Sequence, residues 1–84
     1  MIPENEMPFE TALSLLKSGR RVARAGWNGK GMFLFHVAAW TFTDGRNDNF
    51  PCLPFLAMKT ATGDVVPWLA SKTDILARDW CHVE

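Results

Sequence analysis

The side chains with the widest chemical reach in this 84-residue chain are His36, His82, Cys52 and Cys81. Paired zinc ligands usually stand about three to five residues apart, and no two of these four do, so the spacing gives no metal site. A Cys–His nucleophilic pair is assembled in space rather than in order, yet no catalytic motif surrounds either cysteine. Both read as free, buried thiols of a reducing cytoplasm. Asp44, Asp48, Asp64, Asp74 and Asp79 offer carboxylates for acid–base work, but Asp44 and Asp48 sit in a polar stretch and Asp74 is placed to cap a helix. Gly29-x-Gly31 is not followed by a helical pattern, which a dinucleotide-binding turn requires. The sequence therefore supplies no catalytic residue, no metal site and no cofactor motif.

The stronger signal is tryptophan set beside charge, at Arg24-Ala25-Gly26-Trp27-Asn28-Gly29-Lys30, at Pro67-Trp68-Leu69-Ala70-Ser71-Lys72-Thr73-Asp74, and at Arg78-Asp79-Trp80. An indole face stacks a base for about 1–3 kcal/mol, and a neighbouring Arg or Lys can hold a phosphate. That combination suits a small nucleotide. The same residues also fit a plain structural account, in which Trp27 closes a hairpin, Trp68 and Trp80 fill the core and the basic residues form a solvated rim. Composition does not separate the two.

Positioning these residues falls to one small domain, residues 1–84, since domains rarely divide below about 50 residues. A chain this short buries only about 60–65% of its unfolded surface. Yet 48% of its residues are hydrophobic, with 4 Trp and 6 Phe, so part of the apolar load is expected to face a second copy or a ligand. Lys+Arg and Asp+Glu balance at 9 each, which argues against a DNA or RNA polymer as partner. The opening Met1-Ile2-Pro3-Glu4 and the lack of any apolar run near ~18 residues give no expectation of export or membrane insertion.

Phe9, Ala12, Leu13 and Leu16 recur at helical spacing within residues 8–18, with Pro8 in the first turn and Gly19 to end it. Arg20–Ala25 reads as a strand, the glycine-rich Gly26–Gly31 segment as a hairpin turn, and Met32–Ala39 as the return strand. Apolar residues on both sides of that strand suggest a strand between two layers, or one that meets another subunit. Residues 38–55 read as a long loop carrying Trp40, Phe42 and Phe50. A third strand at Phe55–Thr60 and a fourth at Val65–Trp68 follow, with Pro67 confining the latter to an edge. Ser71 and Thr73 offer caps for a short helix through Ala77, and Asp79–Val83 forms the last strand. The fold class is α+β: an N-terminal amphipathic helix packed on an antiparallel sheet of about five strands, with a short helix before the last strand.

Several stretches carry a resemblance across nearly the whole chain. They are Phe9-Glu10-x-Ala12-Leu13-x-x-Leu16-Lys17-x-Gly19, Val22-Ala23-Arg24-x-Gly26-Trp27-Asn28-Gly29-Lys30-Gly31-Met32, Met58-Lys59-Thr60-Ala61-x-Gly63, and Val66-Pro67-Trp68-Leu69-Ala70-Ser71-x-Thr73-Asp74-x-Leu76-Ala77-x-Asp79-Trp80. In these the sequence resembles the Thoeris anti-defense type-two family of small phage and prophage proteins. The resemblance implies a non-enzymatic sponge that sequesters cyclic nucleotide immune signals, cyclised ADP-ribose isomers or cyclic oligonucleotides, in the bacterial cytoplasm. It further implies homotetramers built as dimers of dimers, with pockets between subunits. Carried over, the ligand-binding positions are Arg24, Trp27, Asn28, Gly29, Lys30 and Met32 from the first turn, and Trp68, Ser71, Thr73 and Asp74 from the second segment. Residues 38–55 depart from the family pattern. A Trp-rich oligomeric protein-interaction module is the alternative on the residues alone, and a phosphodiester hydrolase the third.

Overall fold

A computed structural model of the chain describes residues 6–27 and 31–83. Asn28, Gly29 and Lys30 lie outside the described residues. Helix α1 (Phe9–Lys17) buries Ala12 and Leu16 completely, the two residues at the centre of the apolar face that the spacing predicts. Pro8 takes the N-cap position rather than the first turn; its carbonyl accepts from Thr11 and Ala12 N–H groups, both at 3.2 Å. The extended backbone at Pro8 (ψ 166°) starts the helix one residue later than the proline rule suggests. At the other end Gly19 adopts φ +94°, donating to the Leu16 carbonyl at 3.0 Å while Arg20 donates to that of Leu15 at 3.0 Å. This is a Schellman closure, and it needs the left-handed backbone that glycine adopts freely.

Five strands follow the helix into one antiparallel sheet: β1 (Arg21–Arg24), β2 (Phe33–Val37), β5 (Phe55–Lys59), β6 (Val65–Pro67) and β7 (Trp80–Val83), in spatial order β6-β5-β2-β1-β7. Pro67 lies on the edge strand, where the missing N–H does least harm. The register pairs Val22 with both Leu34 and His82, and Leu34 with Met58. Alternation then puts Val22, Leu34, Met58 and Trp80 on the face that α1 covers. Ala12, Leu16, Val22, Leu34 and Trp80, all 0% exposed, form the core there. Helix α2 (Lys72–Leu76) packs against α1 beside it.

Two expectations are corrected here. The return strand is not enclosed between layers of its own chain. Its second face, with Phe33, Phe35 and Val37, is half-buried and continues across Phe55 and Val65, with both helices on the opposite side. Residues 38–55 are not a structureless loop either. They hold a second hairpin of β3 (Thr41–Thr43) and β4 (Asn49–Pro51), with Phe42 directly across from Phe50. The polar residues make its turn: Asp44 Oδ1 accepts from the N–H groups of Arg46 at 2.8 Å and Asp48 at 3.0 Å, and Asn47 supplies φ 65°. Strands of three residues are too short to show alternation, and every residue from 38 to 51 is exposed, so no burial pattern marks them. Phe42 leans back on Phe55 at 6.2 Å between ring centres.

Cys52 and Cys81 are free, but half-buried rather than enclosed, because Cys81 pairs with Ala23 on the face away from α1 and Cys52 follows the exposed hairpin. Burial pushes the Cys81 thiol above its ordinary pKa, with Glu6 and Asp79 adding to the effect. Among the described residues no helix is long and apolar enough to cross a membrane, and no three His, Cys, Asp or Glu side chains are grouped to hold a metal ion.

Candidate ligand site around Trp80

The turn after β1 and the segment before α2, some 45 positions apart in the chain, converge on one indole. Trp80 is 0% exposed. Trp27 meets it edge-on at 5.6 Å and 79°, Trp68 at 5.9 Å and 86°, and Phe9 lies tilted at 5.3 Å. Such edge-to-face contacts add about 0.5–1.5 kcal/mol each beyond area burial. The Trp80 Nε1–H donates to the Asp74 carbonyl at 2.9 Å, which ties the C-terminal strand to α2.

Beside this cluster stands one cation between two carboxylates. Arg24 Nη1 donates to Asp74 Oδ1 at 3.0 Å, and Arg24 Nε to Asp79 Oδ1 at 2.9 Å. Asp79 Oδ2 accepts the Gly26 N–H at 3.1 Å, and its carbonyl accepts the Ala25 N–H at 2.8 Å, holding the start of the turn. Asp74 Oδ2 accepts from the Ser71 N–H at 3.1 Å and hydroxyl at 2.9 Å, while Ser71 Oγ accepts the Asp74 N–H at 3.1 Å. Ser71 and Asp74 thus form a capping box, the aspartate serving where glutamate is more usual.

Burial works against ionisation of Asp74, but the Ser71 and Arg24 hydrogen bonds and the Arg24 charge outweigh it and hold the carboxyl below the usual range. For Asp79 burial again opposes the shift, and the Arg24 and Gly26 hydrogen bonds prevail. Depressed carboxylates stabilise the fold above the unfolded aspartate pKa of about 3.9, and that stability disappears as pH falls through the folded values. Urea titrations from neutral pH down to about 3 should therefore show the midpoint dropping at the acid end, and Asp79→Asn should flatten the drop. An unaltered acid dependence in that variant would remove Asp79 from the account.

The sites expected from sequence fall out as follows. Trp27 and Trp68 are half-buried around Trp80; Ser71 is the exposed cap; Asp74 links cap, ion pair and indole. Thr73 is exposed within α2 and does not cap it, and Met32 is half-buried just ahead of β2. Asn28, Gly29 and Lys30 lie outside the described residues. Arg24 is held by two carboxylates rather than presented free, and the trio carries one net negative charge. Sequence reasoning passed over Asp79 and Trp80 as site residues, although Arg78-Asp79-Trp80 repeats the pattern of tryptophan beside charge.

The Tad2-like profile, described as the Thoeris anti-defense 2-like domain, matches residues 7–83. The chain belongs to the Thoeris anti-defense 2-like family. A relative named Thoeris anti-defense 2, from Bacillus phage SP01, is 39% identical over 84 aligned residues, covering 92% of this chain and 94% of the relative. Membership points to an anti-defense role. The Thoeris anti-defense 2-like match includes every segment that converges on Trp80, from Phe9 through the β1 turn to Trp68, Asp74 and Asp79.

Proposed function

We propose that the protein binds a cyclic nucleotide immune signal, a cyclised ADP-ribose isomer or a cyclic oligonucleotide, and sequesters it uncleaved in the cytoplasm of an infected bacterium. The observation that carries this reading is the meeting of the two motif segments at Trp80, which packs both Trp27 and Trp68 edge-on against one buried indole. Their outer faces supply stacking, and backbone N–H groups of the glycine-rich turn with Lys30 supply phosphate contacts. Arg24 acts chiefly from behind, since its Nε and Nη1 are engaged by Asp79 and Asp74. Sequestration works by mass action and needs affinity on the order of nM, about −12 kcal/mol, which a preformed pocket makes reachable.

A homotetramer, a dimer of dimers, accompanies this reading. Support comes from the apolar half of the helix-free face, where Val37, Trp40, Phe42 and Phe55 line about 360 Å³ of open space. Light scattering at micromolar concentration should give at least a dimer, and a clean monomer mass would overturn the assembly. The exposed hairpin favours a second reading, a protein-interaction module, because Trp40 is 61% and Leu53 85% exposed.

One experiment separates the readings. The protein is incubated with candidate signals, separated from free ligand and denatured, and what it releases is analysed. Intact nucleotide is expected; a cleaved product would mean a hydrolase, and nothing released would leave the interaction module. In the same assay Trp27→Ala should lose more than about 1 kcal/mol of affinity through lost stacking. A fall in melting temperature that fully accounts for the lost binding would assign Trp27 to packing instead.

A further inference from the structure

The helix-free face divides into an apolar end and a cationic end. At the cationic end Arg21 lies over the Phe33 ring, its guanidinium carbon 4.5 Å from the centroid, and Lys59 approaches the same ring with Nζ at 5.4 Å. Lys59 is directly across from Phe33 in the sheet, and Val65 directly across from Lys59. Together with Phe35 they line a groove of about 370 Å³, open where Gly19 and Gly63 carry no side chain.

The charge in this groove is unbalanced. Among the described residues neither Arg21 nor Lys59 forms an ion pair, and no carboxylate lines the groove. The Phe33 ring attracts an exposed cation only weakly and does not neutralise it. The Lys59 ammonium also donates to the Gly31 carbonyl at 3.1 Å, which fixes its position without neutralising it. Two fixed cations beside an apolar floor of Phe35 and Val65 match a ligand with a dianionic head and an apolar or planar body.

We propose that this groove binds a phosphate monoester, its phosphate held between Arg21 and Lys59 and its organic part lying against Phe35 and Val65. The Arg21 fork grips two phosphate oxygens and the Lys59 ammonium a third. The site is separate from the Trp27–Trp68 cluster, which lies across the sheet, and stands whether or not that cluster binds a cyclic nucleotide.

Calorimetric titration of the full chain with AMP, glucose 6-phosphate, inorganic phosphate and adenosine tests it. AMP should bind saturably and weaken as salt rises, since exposed charge contacts are screened within about 10 Å at 0.1 M. Inorganic phosphate should compete with AMP, adenosine should not bind, and glucose 6-phosphate should bind less well than AMP because a sugar covers the apolar floor poorly. Arg21→Gln and Lys59→Gln should each weaken AMP by about tenfold or more. Val65→Glu, at a position 60% exposed, should abolish binding with the fold intact by pairing its carboxylate with Lys59. Lys17→Gln, an exposed position on α1 across the sheet, should leave AMP binding unchanged. The site is overturned if AMP and phosphate fail to saturate the wild type by about 10 mM, if Val65→Glu binds AMP normally, or if Lys17→Gln weakens AMP as much as Arg21→Gln does.

Discussion

Replacing Trp80 by alanine should destabilise the protein by about 3–5 kcal/mol. That is a large share of the stability of a small domain, for which about 5–15 kcal/mol is usual, so the variant should be left only marginally stable at room temperature. The size of the effect follows from position. Trp80 is 0% exposed, carries Trp27, Trp68 and Phe9 on its ring, and anchors α2 through the hydrogen bond to the Asp74 carbonyl. Trp80→Phe should fall between wild type and Trp80→Ala, because it keeps part of the ring and loses the N–H donor. Urea midpoints for the three proteins test this order. A loss below about 1 kcal/mol in Trp80→Ala would mean that the site is not built on this indole.

The second large effect belongs to Arg24. Arg24→Met leaves Asp74 and Asp79, whose side chains are 17% and 28% exposed, without their shared counter-charge. Fully buried pairs cost about 3–5 kcal/mol to break in this way, and partial exposure brings the expectation down to about 1–3 kcal/mol at neutral pH. The gap between variant and wild type should narrow as pH falls toward about 3, where protonation relieves the stranded carboxylates. Combining Arg24→Met with Asp79→Asn should cost less than the sum of the single changes, as a shared network requires. Additive losses would place the two residues in independent roles.

Much of this architecture was legible because particular residues left strong marks. The i, i+3, i+4, i+7 run of Phe9, Ala12, Leu13 and Leu16 and the stop at Gly19 announced α1, and Pro67 announced an edge strand. The Ser71-x-x-Asp74 spacing announced the cap of α2. What stayed hidden either depends on a partner distant in sequence or leaves no burial pattern. Arg24 looked available for a ligand because Asp74 and Asp79 are 50 and 55 residues away along the chain. The β3–β4 hairpin hid because its strands bury neither face and so carry no alternation. The open face of β2 read as enclosed because apolar residues mark a surface that something covers, and sequence alone does not say whether that cover belongs to the same chain.

The two ends of the described chain are joined directly. Met7 and Trp80 exchange backbone hydrogen bonds at 2.8 and 3.1 Å, and β1 pairs along its whole length with β7. The β1–β2, β3–β4 and β5–β6 hairpins form between near neighbours and need little loop closure. The β1–β7 pairing does not, and it delivers the one side chain around which the core and both motif segments are arranged. A chain cut before β7 therefore lacks the side chain that fills its core, so a truncation that removes β7 should abolish the native state outright rather than trim it.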